Sequence, residues 1–192
     1  MKTIEDCILS QVSISPQDLK IVTSQFEARS LSKNEFLLEA GQLCREMVFV
    51  SSGYLRIFNY ADGKEITLWI GGNGSFLTSL SSFVFQTPNH WNIQAITDSE
   101  VLVIQKEDFD RLLKDVPAWL EFDNILLSRA FALLEGRMFE QLHTTSKQRF
   151  EALLAENPAI FNHVPLQYIA SMIGVTPETL SRLRKGMTQA PN

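Results

Sequence analysis

The sequence predicts an α+β protein: an N-terminal antiparallel β-roll of jelly-roll or cupin-like kind with flanking helices, one long helix, and a C-terminal helix-turn-helix domain. Between Asn34 and Gln105 the chain breaks into short runs rich in Phe, Val, Ile and Leu, and no helical pattern alternates with them. Such strands pair antiparallel, not in a doubly wound parallel sheet. After Pro117 the apolar residues take up the four-three spacing of a long helix, and near the C-terminus two short helical segments flank a Gly. A chain of 192 residues, 45% hydrophobic and 20% charged, is long enough for one full core and a satellite domain. The expected boundaries are a roll over 1–116, a long helix over 117–143 and a helix-turn-helix domain over 144–192.

Ser15-Pro16-Gln17-Asp18 reads as a helix start, because a Ser at the N-cap accepts from an orphan amide and Pro at the first helical position has no amide to waste. The helix is expected to reach about Phe26. Strands follow at Glu35 to Glu39, Met47 to Val50, Tyr54 to Asn59, Glu65 to Ile70, Ile93 to Thr97 and Val101 to Gln105. Gly41, Gly53, Asp62-Gly63 and the Gly71 to Gly74 stretch supply positive-φ turn positions, and Asp62-Gly63 between two apolar runs is a hairpin signal. A short helix from Lys106 reaches about Lys114.

The helix from Pro117 to about His143 carries Leu120, Asn124, Leu127, Phe131, Leu134, Met138 and Gln141 at alternating spacings of four and three, the seam of a coiled coil. Phe122, Leu126 and Leu133 form a second stripe. One stripe is expected against the protein's own domain, the seam against a twin chain. Ser146 to Glu156 is a helix that stops at Asn157-Pro158, and Phe161 to Val164 reads as strand-like.

No apolar run exceeds the five residues Ala130 to Leu134, and Glu5 and Asp6 interrupt a signal-peptide start, so no membrane is expected and the location is expected to be cytoplasmic. Cys7 and Cys44 have no partner spacing, which leaves two free or buried thiols and no metal site. The net charge of minus five is unevenly spread: minus seven over residues 1–143 and plus two over residues 144–192. A basic balance confined to the C-terminal segment suits contact with nucleic acid there.

Pro165 to Ile173 is a helix, Gly174 breaks it, and Thr176-Pro177-Glu178 starts another with Thr176 as N-cap. Ile169, Ala170, Ile173, Leu180 and Leu183 fall between the two helices. Glu178, Ser181, Arg182 and Lys185 are left along the outer side of the second. A carboxylate that accepts from cytosine N4, beside an Arg that forks onto guanine O6 and N7, is major-groove chemistry. Ile169-Ala170, Gly174-Val175 and Thr176 through Leu183 resemble the helix-turn-helix of the Crp/Fnr transcription regulators. The strands, the Gly74-Ser75-Phe76 segment and the run from Gln94-Ala95 to Ile104 look like that family's cyclic-nucleotide-binding roll, and the seam helix like its dimerisation helix.

The resemblance implies a dimer reading a pseudo-palindrome, with Glu178 and Arg182 on bases and Thr176, Thr179 and Ser181 near phosphates. It also implies a signal in the roll that resets the long helices. Double-stranded DNA, a second copy of the chain and RNA polymerase are the implied partners. An effector pocket is expected around Gly74, Ser75, Phe76, Asn89, His90 and Gln94. The family's cyclic AMP sensors carry Gly-Glu-Leu-Gly and a later Arg, where this chain has Gly74-Ser75-Phe76-Leu77 and Asn89-His90. Useful cyclic AMP binding is therefore not expected, the effector is left open, and no cofactor is expected. The N-terminal cysteines of iron–sulfur members are missing but for Cys7, and His90 is the only His in the roll, too few for haem ligation or for a cupin-like metalloenzyme. A ligand-sensing or protein-interaction module without DNA is a further alternative, which leaves the Arg182 face unexplained. The sequence stops at Asn192, so no second half of a winged domain is expected.

Overall fold

The structure is a computed structural model and describes residues 2–188. Its first helix, α1 (Ile4–Leu9), opens with a capping box in which Thr3 and Asp6 satisfy each other's main-chain amides. The second, α2 (Pro16–Thr23), starts as expected, the Ser15 hydroxyl accepting from the Asp18 amide. It ends before Phe26 because the Gln25 and Phe26 amides turn to the carbonyls three residues back, on Val22 and Thr23. That tightening delivers Phe26 edge-on to Trp119, with ring centroids 6.0 Å apart.

Eight strands follow: β1 (Glu27–Leu31), β2 (Phe36–Leu38), β3 (Glu46–Ser52), β4 (Leu55–Ala61), β5 (Lys64–Gly71), β6 (Phe76–Leu77), β7 (Asn92–Ala95) and β8 (Ser99–Gln105), with a short α3 (Leu80–Phe85) between β6 and β7. They form two four-stranded antiparallel sheets, ordered β1-β8-β3-β6 and β2-β7-β4-β5, the roll expected from the short apolar runs. Asp62 and Gly63 both take positive φ, at 50° and 72°, and close the β4–β5 hairpin. The sheets enclose one apolar core, sealed by α4 (Lys106–Asp115) and the first turns of α5 (Pro117–His143). Trp119 and Phe122 of α5 are both buried, and they meet Phe109 and Phe76 at 5.6 and 5.5 Å. Both thiols are free and buried, Cys7 against α1's neighbour Gly74 and Cys44 under Thr78.

The seam residues of α5 face away from the roll. Leu120, Phe131, Leu134 and Met138 are 44 to 68% exposed, a mostly apolar stripe interrupted by Asn124 and without cover in one chain. The second stripe is only partly as expected: Phe122 is buried, Leu126 is half-buried, and Leu133 stays exposed because the helix has by then run past the sheets.

Helix α6 (Ser146–Glu156) begins with a Thr145–Gln148 capping box. The segment read as strand-like is instead one helical turn, α7 (Ile160–His163), since it buries Ile160, Phe161 and Val164, at one and four positions along, on a single side. The last two helices are α8 (Leu166–Met172) and α9 (Pro177–Thr188). Their core of Phe150, Ile160, Ile169, Ala170 and Leu180 also contains Ile70 and Ile96 from the roll. The C-terminal helices are therefore packed on the roll, beside β5 at the open edge of its sheet.

Candidate nucleic-acid interface

The turn between α8 and α9 is built by main-chain closure. The Val175 amide donates to Ala170 O at 2.9 Å and the Gly174 amide to Ser171 O at 3.1 Å. That wrap puts Gly174 at φ 72°, where a side chain is strained. Thr176 then caps α9: its Oγ1 accepts from the Thr179 amide at 3.2 Å, and Pro177 occupies the first helical position. Ile169, Ala170, Ile173 and Leu180 are buried between the two helices as expected, and Leu183 is half-buried.

Along α9, Thr176, Glu178, Arg182 and Lys185 are exposed, and so is Arg184, which was not among the expected residues; Thr179 and Ser181 are half-buried at the foot of this face. Glu178 and Arg182 lie one turn apart on the same side. Hydrogen bonds from its own amide and from Thr176, with Arg182 nearby, hold the Glu178 carboxyl below the usual carboxylate range, so it is an acceptor at neutral pH. The Arg182 guanidinium reaches the Thr179 hydroxyl at 3.4 Å, which aims it along the helix instead of back into the core.

The residues expected around an effector make the following contacts. Gly74 packs on Lys2 and Cys7 of the N-terminal segment. The Ser75 carbonyl accepts from the Val50 amide, and Phe76 pairs with Phe49 on β3. Asn89 is buried and spends its side chain on the Glu39 and Gln42 carbonyls and the Trp91 amide. His90 is exposed. Gln94 is on the other sheet, where its Oε1 accepts from Arg56. Among the described residues no hydrogen bond joins the Gly74–Phe76 turn to Asn89, His90 or Gln94.

Arg56 is the residue that sequence reading passed over. Its side chain is only 3% exposed. It donates through Nε and Nη2 to Gln94 Oε1 at 3.1 and 2.7 Å and pairs with Glu65 at 2.6 Å. Its guanidinium lies between two rings, 3.7 Å from Phe58 and 3.8 Å from Tyr168 of α8. Next to it the Ser171 hydroxyl accepts from the Thr67 amide at 2.9 Å and donates to Glu65 O at 3.0 Å, satisfying the free edge of β5 as another strand would. On the far side of α8, Arg137 of α5 donates to Leu68 O and Met172 O at 2.6 and 2.7 Å. Roll, long helix and α8 are thus clamped together. The one signal in the sequence was a lone Arg inside the apolar run Tyr54 to Phe58.

The fold is a β-roll joined through a long helix to a helix-turn-helix. Residues 28–116 match the family model described as cyclic nucleotide-binding domain. The cyclic AMP receptor protein of Thermus thermophilus is 23% identical over 181 residues, 92% of this chain and 83% of that one. Among solved structures, the c-di-GMP-responsive global regulator CLP of Xanthomonas campestris matches 93% of this chain and 96% of its own with a TM-score of 0.72 at 16% identity. FixK2 from Bradyrhizobium japonicum matches 85% and 84% with a TM-score of 0.73, also at 16% identity. Residues 28–116 thus form a cyclic-nucleotide-binding-type domain, and nearly the whole chain shares the fold of these regulators. No helix among the described residues is long and apolar enough to cross a membrane.

Proposed function

We propose that this chain is a DNA-binding transcription regulator that acts as a homodimer in the cytoplasm, with the roll over 1–116, the dimerisation helix over 117–143 and the reading head over 144–192. The observation that carries the reading is the outward face of α9, where an ionised Glu178 and an exposed Arg182 stand one turn apart on a capped, well-packed helix. The uncovered seam of α5 supports a twofold arrangement that offers two such helices to successive major grooves, about 34 Å apart. Arg182 forks onto a guanine in each half-site, Glu178 accepts from a neighbouring cytosine, and Thr176, Thr179, Ser181 and Lys185 serve the backbone. Contact with RNA polymerase belongs to the same reading through the family resemblance, and no catalytic role is assigned.

Selection from a random duplex pool tests this. The wild-type chain is expected to enrich a two-fold motif. Arg182→Ala is expected to relax preference at one base pair per half-site and to cost about 1–3 kcal/mol in each. Lys185→Ala should instead weaken all sequences alike and lower the salt slope by about one. A wild-type chain that enriches no two-fold motif, with or without cell extract, overturns the assignment.

The effector is not cyclic AMP in this reading. A phosphate in the roll would meet Asn89, whose amide is already committed to main-chain carbonyls, in place of an arginine. An anion so placed loses its hydration without an equivalent partner. Calorimetry is expected to show no micromolar binding of cyclic AMP, and such binding would mean that another group supplies the missing charge.

A further inference from the structure

A cavity of about 570 Å³ lies outside the roll, where β5, the second half of α5, α6 and the end of α8 converge. That volume is in the range of small-molecule pockets, about 300–1,000 Å³. Its apolar wall includes Trp69, Leu133, Leu153 and Met172, which bring a flat indole and flexible aliphatic groups to one space. Gly136 is also on the wall. A Cβ built there meets nothing within 4 Å, so the position is open. Glycine is among the least favourable residues for the middle of a helix as long as α5, yet here its missing side chain leaves the cavity its width.

Three guanidiniums line the same space, those of Arg129, Arg137 and Arg149. Arg137 and Arg149 are fixed: each donates to two main-chain carbonyls, Arg137 to Leu68 and Met172, Arg149 to Ile173 and Thr144. Bonds to neutral carbonyls hold these side chains in place without cancelling their charge. Burial also pulls Arg137 below its ordinary pKa against the field of Glu140 and Glu156, the two carboxylates on the wall. Among the described residues, none of the three cations is within ion-pair distance of a carboxylate. The wall therefore carries a formal excess of one positive charge beside an aromatic platform.

We propose that this cavity binds a small organic monoanion with a flat apolar body, its ring against Trp69 and its carboxylate or sulfonate toward Arg129 and the fixed pair. Ala132, Gly136 and Glu140 are on the side of α5 opposite the Leu127, Leu134 and Met138 seam, so a dimer formed through the seam leaves the site open. An occupant touches the roll, the long helix and the C-terminal helices together. Its bearing on DNA binding rests on the proposed function; its binding does not.

The probe is 2-naphthoate, titrated into the full chain by calorimetry and by tryptophan emission. The controls are 2-naphthamide, with the same rings and no charge, and inorganic phosphate, with charge and no rings. Naphthoate is expected to saturate below about 1 mM, with naphthamide weaker by about tenfold or more and phosphate silent. Gly136→Leu should fill the space and weaken naphthoate by about tenfold or more without lowering the melting temperature. Ala152→Phe, on the facing helix, should act alike. Trp69→Phe should abolish the emission change while calorimetric binding persists. No saturable binding to the wild-type chain, or equal binding by both filled variants, overturns the proposal. A chain that binds naphthoate as described but enriches no duplex supports the cavity and removes only the regulator reading.

Discussion

Replacing Leu127 and Leu134 together by Ala is expected to turn a dimer into a monomer at micromolar concentration. In one chain Leu134 is 46% and Phe131 64% exposed, and the uncovered stripe runs from Leu120 to Met138 on one side of α5. A two-fold axis along that side buries every seam residue twice. Fully burying an exposed leucine side chain contributes about 1.5–3 kcal/mol, and these leucines start no more than about half exposed, so four truncations in the assembled pair amount to about 3 kcal/mol or more, about two decades in the dimer dissociation constant. The substitutions touch no roll contact, and the monomer should keep its helical signal and its roll. Light scattering and sedimentation decide the point. A wild-type chain that is monomeric at micromolar concentration would show that the stripe has another cover, and a doubly substituted chain that is still dimeric would move the interface elsewhere. The DNA consequence follows from geometry, since one head reads one half-site and loses the joint affinity of two.

Elements with a strong local stop or start signal were legible from sequence, and those made by distant contacts were not. Pro117, Asn157-Pro158, Gly174 and Thr176-Pro177 each act within one turn of the chain, and the helices they bound match the expected spans closely. Strand β1, Glu-Ala-Arg-Ser-Leu, is mostly polar and is held by its pairing with β8 some seventy positions on, with Glu27 opposite Val103, so its own residues carry little signal. Strand β6 has only Phe76 and Leu77, too short for any alternation. The α9 face was readable because a helix exposes what its core does not use. The clamp behind it was not: Arg56, Glu65, Gln94, Tyr168 and Ser171 are polar or amphipathic residues whose meaning depends on two domains meeting.

Arg56→Ala is expected to lower unfolding stability by about 3–5 kcal/mol, the usual cost of removing one member of a buried charged network. With its side chain 3% exposed, Arg56 has no water to take over its role. Removing it leaves Gln94 Oε1 without its two guanidinium donors, leaves Glu65 without its ion pair, and opens a gap between the Phe58 and Tyr168 rings. Arg56→Lys should recover only a minority of the loss, because an ammonium cannot fork onto Gln94 and stack between two rings together. Urea denaturation followed by tryptophan emission and far-ultraviolet dichroism measures the loss. Exchange of the Thr67 amide reports the clamp itself, because its acceptor is the Ser171 hydroxyl on α8. In Ser171→Ala that amide should exchange faster while the β3 amides paired to β8 keep their protection. If Arg56→Ala stays within about 1 kcal/mol of the wild type, the guanidinium sandwich is not what fixes the reading head to the roll. The Ile70 and Ile96 contacts to the C-terminal core would then hold it alone.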